Sequence, residues 1–260
     1  MRIPIKTVQE IELMRQSGKI LAGLISKLIR EVKPGITTLD LEKIAEEYLK
    51  KAKAKPAFKG FPSEDKGAEP YPFILCTSLN EQAVHAFPSL RKLKQGDILS
   101  IDAGVNFKGY FSDMAITVPV GKISEEALRL IKVNQQALYR GISKVKPGAF
   151  LGDVSSAIES WVEKNGFFVL KDLTGHGIGK KLHEPPVIFN YGKPKTGPKL
   201  LKGMCLAIEP IISTSTEEIE VLKDDGWTIV TANGCLSSHF EHTVLVTESG
   251  FEILTSLEDL

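Results

Sequence analysis

The chain is written twice, and that duplication limits its fold more than any other feature. Val32-Lys33-Pro34-Gly35 returns as Val145-Lys146-Pro147-Gly148. An amphipathic helix pattern precedes each copy: Ile11, Met14, Gly18, Leu21, Ile25 and Leu28 in the first, Leu128, Ile131, Ala137, Leu138 and Ile142 in the second. A second helix pattern follows each copy, Asp40, Leu41, Ile44, Ala45 and Tyr48 against Asp153, Val154, Ala157, Ile158 and Trp161. Proline and glycine stop the first helix of each pair and turn the chain into the next. The strands recur as well. Residues 96–102, ending in Asp102, read against 203–209, ending in Glu209, and 113–118, opening on Asp113, read against 241–246, opening on Glu241. One matching strand is chance among β-branched residues; four elements recurring in one order are not. The expectation is an α+β chain of two αα-then-β halves, about 1–121 and 122–260, forming a single domain over 1–260.

The segment 50–72 is rich in Lys, Pro and Gly and reads as an exposed connection inside one domain, because the repeat needs both halves in one core. The run Lys50-Lys51-Ala52-Lys53-Ala54-Lys55 is most simply a solvated helix end, where cations suit the dipole; contact with ribosomal RNA is the alternative. A net charge of +1 gives no general pull toward DNA or an anionic membrane. No apolar run is long enough to span a bilayer, and the first residues do not read as a signal peptide, so the cytoplasm is the expected address. Three widely spaced cysteines, Cys76, Cys205 and Cys235, argue against a disulfide framework or a cysteine zinc site.

The four carboxylates that meet in the repeat carry the chemistry. Strand patterns flank the turn Asn106-Phe107-Lys108-Gly109, and Asp102 and Asp113 lie symmetrically about its middle. A hairpin in that register sets them directly opposite one another on one face. Two buried carboxylates side by side repel, so one must take a proton unless a cation lies between them. Alone, Glu209 before Pro210 or Glu241 within Ser238-His239-Phe240-Glu241-His242 would read as a cap or an ion-pair partner; their equivalence to the aspartates says otherwise. His176 stands in Gly175-His176-Gly177-Ile178-Gly179, which fits neither the dinucleotide fingerprint nor the phosphate-loop spacing. Four carboxylates and one neutral imidazole carry a charge of about −4, which balances two divalent ions, and such a donor set suits Co, Mn, Fe or Zn. Rival hydrolytic signatures, a zinc helix HExxH or a nucleophile elbow GxSxG, are missing.

Taken together, these motifs resemble methionine aminopeptidase of type I. They are Ile101-Asp102 with Asp113 eleven residues on, Thr174 to Gly179 followed by His183-Glu184-Pro185-Pro186, Ile208-Glu209-Pro210, and Phe240-Glu241-His242-Thr243. The resemblance spans essentially the whole chain and implies the pita-bread fold, two pseudo-symmetric halves around a curved antiparallel sheet. It implies that Asp102 chelates one metal ion, that Asp113 and Glu241 bridge two, and that His176 and Glu209 complete the other. Glu209 would also shuttle a proton to the leaving amine. By the same resemblance, His85 faces the scissile amide and His183 contacts the substrate carbonyl. Phe58, Phe61, Cys76 and Trp227 fall where a methionine pocket would lie. His242 belongs to the motif as a support, and His239 has no assigned role. The implied activity is removal of N-terminal methionine from peptides and nascent chains by two-metal activated water, by a monomer, with the ribosome a further candidate partner.

The sequence also departs from that pattern. The segment 62–75, including Glu64-Asp65-Lys66-Gly67, is longer than expected, Val84 and Ala86 flank His85 in place of cysteine and glycine, and Leu182 replaces an aromatic. All three lie on the substrate side. The absence of a long insertion in the second half argues against type II. The rival readings are an X-Pro aminopeptidase or dipeptidase on the same fold, and a non-enzymatic pita-bread binding module.

Overall fold

A computed structural model describes residues 3–63 and 69–257. The first half runs α1 (Val8–Glu31), α2 (Thr38–Ala52), β1 (Lys55–Pro56), β2 (Leu75–Leu79), β3 (Gln82–Val84), β4 (Ile98–Phe107) and β5 (Tyr110–Pro119). The second opens with α3 (Glu125–Ile142) and α4 (Leu151–Lys164), then β6 (Phe168–Val169), β7 (Thr174–Gly177), β8 (Glu184–Phe189), β9 (Cys205–Ile208) and β10 (Ile211–Ser213). It closes with β11 (Ile219–Val221), β12 (Ile229–Thr231), β13 (Ser237–His239), β14 (His242–Val246) and β15 (Phe251–Ile253). Every strand pairing among the described residues is antiparallel. Helix pairs backing antiparallel sheets make this the pita-bread fold that the sequence implies.

Local chemistry starts each helix. Thr7 and Glu10 form a capping box at α1, and Thr37 and Asp40 form one at α2. Phe150, the equivalent of Thr37, has no oxygen to offer, and Asp153 alone accepts its N–H at 2.9 Å. The two Pro-Gly turns match: Gly35 and Gly148 both have positive φ (96° and 84°), and their N–H groups donate to the carbonyls of Leu93 and Leu200. One helix position departs from the sequence reading. Leu128 is exposed, and the buried stripe of α3 runs through Ala127, Leu130, Ile131, Asn134 and Leu138.

Alternation along the strands separates two faces. Leu99, Ile101, Ala103 and Val105 of β4, with Met114 and Val118 of β5, pack under α1 and α2 against Leu21, Ile25, Leu41 and Leu49. In the second half, Leu206, Ile208, Val244 and Val246 pack under α3 and α4 against Leu130, Leu138, Val154 and Ile158. The residues between them, Asp102, Asp113, Ala207 and Thr243 among them, therefore face away from the helices.

Two expectations are corrected. The β4–β5 turn is the two-residue Lys108-Gly109, both left-handed (φ 52° and 88°), so Asp102 pairs with Ala115 and Asp113 with Gly104. The aspartates are diagonal neighbours, two residues apart in register; an even shift keeps both on one face. The stretch 50–72 is not simply exposed. Lys55 and Pro56 pair with Asn106 and Val105 along the β4 edge, and Phe58 and Tyr71 are buried. Of the longer 62–75 segment, Glu64, Asp65, Lys66 and Gly67 lie outside the described residues.

Candidate metal centre

Strand register, with hydrogen bonds across the seam between the two sheets, brings the five candidate ligands together. His176 pairs with Ala207, Ala207 with Thr243, and Asp113 with Gly104; Thr243 meets Asp113 through its hydroxyl. These residues form one row across the sheet. In the next row, two residues along, Glu209 and Glu241 face each other in a break in one ladder, bracketed by Ile208↔His242 and Ile211↔His239. The Glu241 N–H donates to the Ala115 carbonyl at 2.9 Å, and Ala115 pairs with Asp102, which pairs with Cys76. Equal parity puts all five side chains on the face turned away from the helices.

The seam between the halves, β5 against residues 239–243, is tied partly by threonine hydroxyls. Thr243 Oγ1 accepts the Asp113 N–H and donates to the Asp113 carbonyl, both at 2.9 Å. Four residues along β5, Thr117 Oγ1 accepts the His239 N–H and donates to its carbonyl, also at 2.9 Å.

The acids lie close together and lack ordinary partners. His176 Nε2 is 3.5 Å from Glu209 Oε1 and 3.9 Å from Asp113 Oδ2. Its Nδ1 faces the Gly177 carbonyl at 2.9 Å; a carbonyl only accepts, so Nδ1 carries the proton and the Nε2 lone pair is left for the acids. Asp102 Oδ1 and Glu241 Oε1 are buried without any hydrogen-bond partner. Burial first, then mutual repulsion, pushes Asp113 and Glu241 well above the usual carboxylate range, and burial alone does so for Glu209. Asp102 is pushed up to about 7 by burial, with the neighbouring His239 imidazole opposing and Glu209 adding to the rise. Burial holds His176 down at about 3, so it is a neutral donor at pH 7. Orphaned carboxylate oxygens, neutral imidazoles and donors 3.5–4.0 Å apart fit divalent cations far better than protons. The donors fall into two triads, Asp113-His176-Glu241 and Glu209-His239-Glu241, which share Glu241.

The remaining candidate residues surround this face. His85, left-handed at φ 59°, follows β3 with its ring 6.3 Å from Trp227; burial, then His239 and His183, hold it at about 4. The exposed His183 ring lies 4.3 Å from His176 and 4.9 Å from Phe61. Phe58, Phe61, Cys76 and Trp227 belong to one apolar cluster. Phe58 lies against the sheet because a Cβ at Gly104 would come within 2.8 Å of its ring. His242 touches none of the acids; Thr255 and Tyr139 hold its two nitrogens at 3.0 and 3.2 Å.

Sequence reasoning missed three parts of the site. Tyr71, buried in the apolar cluster, stacks edge-on against Trp227 and Phe87 at 5.2 Å and donates to the Leu75 carbonyl. Lys6 and Glu184 form a buried ion pair of 2.7 Å below the loop that carries His183. His239 Nε2 points at Glu209 and Glu241, and the signal for it was available: it precedes Glu241 by two residues, one strand period.

Comparisons with known proteins point to one family. Residues 12–248 match metallopeptidase family M24. The chain is 47% identical over 256 residues to a methionine aminopeptidase of Clostridium perfringens, covering 98% of this chain and all of that one. It is 44% identical to methionine aminopeptidase 1 of Bacillus subtilis, covering 96% of this chain and 98% of the relative. The crystal structure of a methionine aminopeptidase from Thermotoga maritima superposes with a TM-score of 0.94 at 44% identity, over 98% of this chain and 100% of that one. A prolidase from Pyrococcus furiosus shares the fold at a TM-score of 0.76 and 24% identity, with 97% of this chain covering 65% of that one.

Proposed function

The chain belongs to the methionine aminopeptidases of metallopeptidase family M24, and from that premise we propose how its residues carry out the reaction. It is a metal-dependent aminopeptidase that removes N-terminal methionine from peptides. The observation that carries this reading is the pair of adjacent rows that gathers Asp102, Asp113, His176, Glu209 and Glu241 on one face with buried oxygens left unpaired. We take the enzyme to be of type I, with two ions, nascent chains among its substrates, and one catalytic domain of two halves, about 1–121 and 122–260.

These five residues would hold divalent ions, which would supply Lewis acidity for the scissile carbonyl and the water and an anchor for the free α-amine. An internal peptide bond has no such amine, so cleavage is confined to the N-terminus. Glu209 carries the proton. Its carboxylate, beside the water-binding face, accepts it from water and returns it to the leaving nitrogen. His183, whose ring lies beside His176, would donate an N–H to the carbonyl oxygen as that oxygen gains charge. By the resemblance, His85, neutral at pH 7 and beside Trp227, faces the scissile amide. Phe58, Phe61, Tyr71, Cys76 and Trp227, packed in one apolar cluster, would line the methionine site, where a flexible thioether gains sulfur–ring contacts.

The test is methionine release by the purified protein supplied with Mn(II), Co(II) or Fe(II), measured across peptides that vary the first two residues. Release from Met-Ala peptides is expected. Release from X-Pro peptides with none from Met-Ala would overturn the specificity.

A further inference from the structure

His239 lies outside the five ligands that the family resemblance supplies, yet it faces them. Its ring is 2% exposed, and Nε2 is buried with no hydrogen-bond partner. That nitrogen is 3.6 Å from Glu209 Oε2 and 4.0 Å from Glu241 Oε2. Both separations are too long for a hydrogen bond. They suit atoms sharing one ion: donors bound at about 2.1 Å are typically ~3–3.5 Å apart. The register explains the aim. A third row, two residues beyond the acids, runs Ile211, His239, Thr117, Ser100 and Ser78, and same-parity residues share a face. Thr117 holds both backbone groups of His239, so the ring is mounted on fixed main chain. Glu209 thus has an imidazole beyond each oxygen, His176 at Oε1 and His239 at Oε2.

We propose that His239 is a sixth protein donor to the metal centre, binding through Nε2 the ion held by Glu209 and Glu241. Each triad then has its own imidazole, one from His176 and one from His239, with Glu209 set between the two rings. A second neutral nitrogen adds no charge but shifts preference toward Co(II), Fe(II) and Zn(II) over Mn(II). The proposal rests on the metal reading of the five-residue site.

The experiment is Co(II) titration of metal-free wild-type protein and of His239→Gln, followed by calorimetry and by the visible d–d absorption of bound cobalt, with Mn(II) titrated in parallel. In the variant, one Co(II) is expected to bind about 10–100-fold more weakly, with altered bands and a smaller loss for Mn(II). X-ray absorption of the cobalt-loaded wild type provides a check that needs no variant. It should count one imidazole per ion on average, against one for every two ions if His176 alone coordinates. Superimposable titrations, or the lower imidazole count, overturn the sixth donor and leave the five-ligand reading standing. Wild-type protein that binds no cobalt at all overturns both.

Discussion

The Thr243 hydroxyl is inserted at Asp113, accepting its N–H and donating to its carbonyl at 2.9 Å each. Thr243 belongs to the second half and Asp113 to the first, so this bridge fixes a first-half acid at its distance from Glu241, two residues before Thr243. Thr243→Val keeps the shape and removes both bonds, stranding a buried N–H and a buried carbonyl. The expected cost is about 1–3 kcal/mol, measured by denaturant unfolding of metal-free protein, with weaker Co(II) binding on calorimetry. Thr243→Ser should recover most of both. Equal stability of the valine and serine variants would show that the hydroxyl does not hold the seam.

Metal-free protein should lose stability as pH rises. In the unfolded chain, carboxyls titrate near 4; folded, Asp102 titrates at about 7, and Asp113, Glu209 and Glu241 are pushed well above their usual range. Below the unfolded value both states hold the proton and nothing is lost. Between about 4 and about 7 only the unfolded chain ionises, so stability drains away, and for Asp102 the loss is complete above its folded value. Melting temperature should therefore fall from about pH 6.5 to pH 8. Below that window His85, His176 and His242, held at about 3 to 4 when folded, contribute stability that grows with rising pH and offset part of the loss. Added Mn(II) or Co(II) should flatten or reverse that trend, because metal binding favours the ionised acids. In metal-free Asp102→Asn the decline should be shallower; an unchanged slope would remove Asp102 as one of its sources.

Glu209→Gln keeps the side-chain volume and takes away the proton carrier. At saturating metal, kcat for a Met-Ala peptide should drop by about 10²–10⁴. The metal-free melting temperature should hold or rise, since a buried acid has been removed. A variant retaining a tenth or more of wild-type kcat would place the proton transfer elsewhere.

Parity was legible in the sequence and register was not. Helix pairs and strands declare themselves by period, and the repeat marks which carboxylates correspond. Which face Asp102 and Asp113 share also follows from alternation. Their diagonal offset does not, because it depends on Lys108 taking a left-handed φ of 52°, which a lysine does not advertise. Asn106 helps set that turn by accepting the Gly109 N–H at 2.9 Å. His239 escaped for a different reason. Its strand ends before Glu241, and Glu241 lies in the break before β14, so the two-residue period that joins them crosses a gap between strands. The pairing of Lys55 and Pro56 with the β4 edge was hidden by composition, since Lys and Pro are poor strand formers tolerated at edges.

Lys6 should matter to turnover although it lies outside the row of ligands. Its Nζ meets Glu184 Oε2 at 2.7 Å, with the two side chains only 5% and 7% exposed. The other oxygen, Glu184 Oε1, accepts the N–H groups of Lys180 and Lys181 at 2.7 and 3.1 Å, in the loop that leads to His183. Gly179 leaves room for this clamp, since a Cβ there would lie 2.3 Å from Lys6 Cε. Lys6→Met therefore leaves a buried carboxylate uncompensated at about 3–5 kcal/mol, read by denaturant unfolding. Adding Glu184→Gln should restore part of the loss by removing the stranded charge. The kinetic signature separates a local effect from a general one. If the clamp aims His183 at the carbonyl oxygen, Lys6→Met lowers kcat more than it raises KM, and His183→Ala costs less in the Lys6→Met background than in wild type. Fully additive losses would reduce the Lys6–Glu184 pair to a contributor to stability alone.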